Sequence, residues 1–179
     1  GFLRGAPEGG DSAAGRDKRS VTPRAGAHGL IFLLSPADCS GKRAQLLFRK
    51  PARAPLARRL RSSEGATVGE VFTFLSQLYF RGKLTYAAAF ARPPAGHVGT
   101  RVIVPGLGLR PPEESLDLAG LSAIARVPVD LGSRRYVSTL RADAGRLAEG
   151  LHPHDQVVLL GSIATEKYVT PLLDVLGDR

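Results

Sequence analysis

The chain of 179 residues has one cysteine, no methionine, no tryptophan and only 6% aromatic residues. With Cys39 alone, neither an intrachain disulfide framework nor a Cys-based zinc knuckle is available, and a reducing, cytoplasmic setting is expected. No apolar run reaches the roughly 18 residues that read as a membrane-spanning helix, and the start lacks a basic-apolar-small signal pattern, so no membrane partner is expected. Acidic residues are missing from one stretch altogether. Between Gly41 and Ser63 stand Lys42, Arg43, Arg49, Lys50, Arg53, Arg58, Arg59 and Arg61 without a single Asp or Glu. Such a block concentrates anions, and within a net charge of +9 it points to nucleic acid or a phosphorylated small molecule as partner. The bland alternative is a solvated, compositionally biased segment.

What is present is enough for one domain: 43% hydrophobic residues in a chain of this length can bury a sizeable core. Residues 1–28 are rich in Gly, Ala, Ser, Pro and mixed charge without apolar periodicity, and are expected to form a flexible arm. Residues 29–179 form the expected single α/β domain. The start at Gly1 and the stop at Arg179, just past a helical pattern, suggest a trimmed, processed or partial chain and leave room for a further C-terminal strand. There is no internal repeat.

Three segments read as strands buried on both faces: Leu30-Ile31-Phe32-Leu33-Leu34, Arg101-Val102-Ile103-Val104 and Gln156-Val157-Val158-Leu159-Leu160. Val127-Pro128-Val129 is a candidate short edge strand. Helical stretches are expected near residues 44–48 and 56–60, set apart by Pro51 and Pro55. A helix follows the capping-box spacing Thr67-Val68-Gly69-Glu70, bends at Gly82 and continues to Ala91. Val137, Leu140, Ala144, Leu147 and Ala148 mark another helix, stopped at Gly150. A last helix is expected from Ser162 to Val169, with Thr170-Pro171 capping a further turn. Strands alternating with helices specify an open, mostly parallel sheet, three strands and room for a fourth, with helices on both faces.

Ligands of such sheets bind beyond the carboxyl ends of the strands. Three loops meet there: Ser35, Ser40, Gly41, Lys42 and Arg43 after the first strand, Pro105, Gly106 and Leu107 after the second, and Gly161, Ser162, Thr165 and Lys167 after the third. Freed backbone amides, hydroxyls and lysines make an anion cradle. Gly41-Lys42 invites comparison with a P-loop, but Pro36 replaces the first glycine and Arg43 the magnesium-holding hydroxyl. No cofactor is expected. Asp38, amid basic residues, should stay ionised and is the candidate catalytic group, able to orient water or stabilise an oxocarbenium-like sugar; its competing role is to cap the following turn. Cys39 is expected to be buried and inert, and Ser162 to be an N-cap, since the nucleophile-elbow pattern is absent. His152-Pro153-His154 with Asp155 reads as a turn on the edge opposite the site, and no metal site is expected.

Leu159-Leu160-Gly161-Ser162-Ile163-Ala164 resembles the late strand-helix unit of the uracil-DNA glycosylase-like superfamily. Leu78-Tyr79-Phe80 with Tyr86-Ala87, and Val104-Pro105-Gly106-Leu107-Gly108-Leu109, loosely resemble bacterial domains of that group. The resemblance spans residues 30–173 in layout. It implies a four-stranded parallel sheet, base flipping into a pocket at the strand ends and glycosidic-bond cleavage without metal. The family's Gly-rich, water-activating loop is replaced here by Ser35-Pro36-Ala37-Asp38-Cys39, and its DNA-intercalating His motif is not visible, so catalytic carry-over is restricted to Asp38. Beside a glycosidic hydrolase or transferase stand two other readings, a non-catalytic phosphate- or nucleic-acid-binding module and an interaction scaffold.

Overall fold

The computed structural model describes residues 28–162 and 166–177. The expected arm lies outside them except for His28, and Ile163, Ala164 and Thr165 lie outside as well. No helix among the described residues is long and apolar enough to cross a membrane.

Strand β1 (Leu30–Leu34) is apolar at every position and sits centrally in the sheet. Because successive side chains point to opposite faces, Phe32 and Leu34 enter one core while Ile31 and Leu33 enter the other. Along the chain follow α1 (Lys42–Phe48), α2 (Pro55–Arg59), β2 (Ala66–Thr67), α3 (Val68–Ser76), α4 (Leu78–Phe90), β3 (Thr100–Val104), β4 (Gly108–Arg110), β5 (Ser115–Leu116), α5 (Leu118–Ala125), α6 (Arg134–Glu149), β6 (Gln156–Leu160) and α7 (Glu166–Leu176). The main sheet has the order β4-β3-β1-β6, with β3 and β6 each parallel to β1. A second, two-stranded antiparallel sheet joins β2 to β5. The α/β class with a mostly parallel open sheet and helices on both faces is therefore as expected.

The fourth strand is not the one anticipated. Residues 127–129 are irregular, and the extra strand is β4, paired antiparallel to β3. A turn makes this possible: Leu107 N–H donates to Val104 O at 3.0 Å, with Pro105 and then Gly106 at φ 76° between them. That is the residue order of a type II turn, whose third position requires positive φ. The hairpin is anchored from below by Asp143 of α6, whose carboxylate accepts from Leu109 N at 2.7 Å.

On one face α1, α3 and α4 cover the core built around Phe72 and Phe80, whose rings meet edge to face at 5.5 Å. The capping box at Thr67 and Glu70 is complete. The interruption expected at Gly82 falls instead at Gln77, at φ 52° and ψ −129°, and α4 runs straight through Gly82. On the other face α6 and α7 cover Ile31, Leu33 and Ile103. Helix α7 continues through Pro171 instead of being recapped there. Proline removes one helical N–H and so strips the carbonyl four residues earlier of its partner. That carbonyl, on Lys167, accepts instead from the Tyr136 hydroxyl at 3.0 Å.

Candidate functional site

The chain leaves β1 through Ser35, which is buried and extends the ladder by donating from its N–H to Leu160 O at 3.0 Å. The loop that follows is organised by Asp38. Its Oδ1 accepts from Ser40 N at 2.9 Å, Ser40 Oγ at 2.8 Å and Gly41 N at 3.1 Å, which turns the chain into α1. These bonds, the Ser40 hydroxyl foremost, hold the Asp38 carboxyl below its ordinary value, and the nearby Lys167 ammonium adds to the effect. Asp38 thus has the capping role and an ionised, exposed carboxylate at once.

Asp38 lines a cleft of about 330 Å³ beyond the carboxyl ends of the strands. It is lined by residues 36–40, by Pro105, by residues 124–129, and by Lys167 and Tyr168 of α7. Its lining combines charged and polar groups (Asp38, Ser40, Arg126 and Lys167) with the apolar Val127, Pro128 and Val129. A concave site with a few polar groups against apolar walls is the usual form of a small-molecule pocket.

Of the residues singled out in the sequence, Asp38, Ser40, Pro105 and Lys167 meet in this cleft. The others are close by or turned elsewhere. Gly41 donates to Asp38, and Lys42 is exposed at the first position of α1. Arg43 points away from the cleft: its Nε donates to Phe74 O at 2.8 Å and its guanidinium lies 4.9 Å above the Phe74 ring, tying α1 to α3. Gly106 lies within the β3–β4 turn and Leu107 packs against the core. Gly161 packs on Ser35, whose hydroxyl any side chain at 161 would strike. Ser162 is exposed, α7 begins at Glu166, and Thr165 lies outside the described residues.

Cys39 is buried, and desolvation, with the Asp38 charge beside it, pushes its thiol up to about 12, which removes it as a nucleophile at neutral pH. His152 and His154 are exposed in the turn before β6, where the buried Asp155 accepts from Gly29 N at 2.7 Å and His152 N at 2.8 Å. That carboxylate serves the turn.

Tyr168, expected beside Lys167 either over the rim or toward solvent, lines the cleft. Two features were not anticipated. Residues 124–129 line the cleft because the chain leaves α5 irregularly. Lys83 of α4 reaches the end of β1, its Nζ donating to Ser35 O at 2.9 Å and Ser35 Oγ at 2.8 Å over the rings of Tyr79 and Phe80. Desolvation brings this ammonium down to about 8. The only available signal was a lysine at helical spacing between Tyr79 and Tyr86. No protein-family model, curated protein or solved structure matches this chain.

Proposed function

We propose that the cleft between Asp38 and Tyr168 recognises a nucleobase or nucleotide and, as an enzyme, cleaves an N-glycosidic bond without metal. The observation that carries this reading is the pairing of an ionised, hydrogen-bond-fixed Asp38 with the Lys167 ammonium in one concave site. Lys167 suits a phosphate, and the apolar wall of Val127, Pro128 and Val129 suits the flat face of a base.

A carboxylate held below its usual range is a weak base, so Asp38 would act by charge more than by proton abstraction. As the glycosidic C–N bond breaks, its electron pair leaves with the base nitrogen and positive charge grows on the sugar. Asp38 stabilises that charge and orients the water whose oxygen bonds to the anomeric carbon; the water's proton goes to the departing base.

The test is a thermal-shift series with bases, nucleosides, nucleotides and short oligonucleotides, followed by chromatography for released base. A selective shift with base release supports the enzyme. A selective shift without release leaves the non-catalytic binding module. No shift with any of them refutes the cleft as a nucleotide site.

A further inference from the structure

The basic stretch has a geometry of its own, separate from the cleft. Helix α1 starts beside Asp38 and has seven residues, so its far end lies roughly 10 Å away at the usual rise per residue. There the connection to α2 forms an open groove of about 580 Å³ lined by Leu46, Arg49, Lys50, Pro51, Arg53 and Ala54. The start of this loop is held by a cation from beyond α2. Arg61 Nη2 donates to Phe48 O at 3.0 Å and Arg49 O at 3.2 Å, while Nη1 donates to Ala57 O. With those carbonyls drawn inward, Arg49, Lys50 and Arg53 are exposed, and among the described residues none of them pairs with an acid. Arg59 differs: it is engaged by Glu64 and Glu70.

We infer that this groove binds single-stranded nucleic acid, its phosphates on Arg49, Lys50 and Arg53 and an unpaired base on Leu46 and Pro51. A duplex keeps its base faces stacked inside and offers phosphates and base edges only, whereas this groove combines cations with apolar side chains, of which Leu46 is 43% exposed. Unpaired strands combine backbone charge with accessible base faces, which is the complement of that surface. The inference does not depend on the cleft's having a ligand.

Fluorescence anisotropy of a labelled oligo-dT of about 12 nucleotides, titrated across potassium chloride, tests it. Three phosphate contacts on a single strand give a slope of about −2 in log affinity against log salt. The triple variant Arg49→Ala, Lys50→Ala, Arg53→Ala is expected to lose that slope and at least tenfold in affinity at low salt, with its melting temperature unchanged. Arg49→Lys with Arg53→Lys is expected to keep the slope. A charge-matched control, Arg81→Ala, Arg92→Ala, Arg134→Ala, removes exposed arginines elsewhere. If the control lowers the slope equally, net charge explains binding and the groove does not. An unaltered slope in the first triple variant, or a duplex bound as tightly as oligo-dT, overturns the inference.

Discussion

The hydroxyl of Tyr136 donates to the carbonyl of Lys167 at 3.0 Å, and that carbonyl is the one Pro171 deprives of its helical donor. Tyr136 is 1% exposed and Lys167 half-buried, so the bond is partly shielded from water. One side chain on α6 therefore completes the first turn of α7 and holds the residue that closes the cleft. Tyr136→Phe keeps the ring and deletes the bond, leaving a carbonyl unsatisfied. It is expected to cost about 1–3 kcal/mol and to lower the midpoint of urea unfolding without changing the slope. An unshifted midpoint would mean that the carbonyl finds another donor.

Gln77 occupies φ 52°, ψ −129° between α3 and α4, a conformation that favours glycine. Its N–H still donates to Thr73 O at 2.7 Å, a bond that glycine would keep. Gln77→Gly is expected to stabilise the fold by about 1 kcal/mol through relief of backbone strain. Differential scanning calorimetry should show a higher melting temperature, and a fall would mean that the lost side chain outweighs the strain.

The contrast between Gln77 and Gly82 shows what the sequence can carry. Glycine is a breaker only where the backbone needs positive φ or close approach, and Gly82 has nothing near it and stays helical. The bend at Gln77 accompanies the contact of Phe72 with Phe80 across it, a tertiary contact that no local signal encodes. Strands β1, β3 and β6 were legible as apolar runs, and burial on both faces accounts for β1 and β3; β6 departs from that expectation, since it ends the sheet among the described residues and residues 157–160 are only half-buried. Strand β4 was not, because Gly108-Leu109-Arg110 pairs through a turn and is anchored by Asp143, distant in the chain. Of the site, Asp38 and Lys167 could be placed from strand ends. The wall at residues 124–129 and the reach of Lys83 to Ser35 depend on tertiary placement.

Glu70 gives a pH-dependent prediction. Its hydrogen bonds to Arg59, and then to the Thr67 amide, lower its pKa from 4.5 to about 2. A carboxyl depressed in the folded state stabilises above its unfolded value, and that contribution is lost as pH falls through the folded one. The melting temperature of the native chain should exceed that of Glu70→Gln at pH 6. The gap should narrow below pH 4.5 and close near pH 2. A gap constant with pH would mean that the carboxylate's charge contributes nothing; exposure of the pair keeps the effect modest in any case.

Cys39 should be silent in the native state. It is 5% exposed and its thiol stands at about 12, so neither access nor thiolate is available at neutral pH. A disulfide-exchange reagent at pH 8 is expected to label it only slowly in the folded chain and fully in guanidinium chloride. Rapid native labelling would show that the loop around Asp38 opens readily.

Asp38 joins two roles that a pair of substitutions separates. Asp38→Asn keeps an Oδ1 acceptor for Ser40 and Gly41 and removes only the charge, so stability should change by less than about 1 kcal/mol, Asn capping as well as Asp. Asp38→Ala removes the cap as well and should cost about 1 kcal/mol or more. If the carboxylate stabilises a developing sugar cation, base release is lost in both variants, while binding of the free base survives in Asp38→Asn. The pH profile adds a sign. Since the Asp38 pKa is lowered from 3.8, the charged form persists into acid, and the acid limb of turnover should lie below that value. Turnover that survives in Asp38→Asn would leave the residue as a brace of the turn that leads into α1 and would move the chemistry to another group in the cleft.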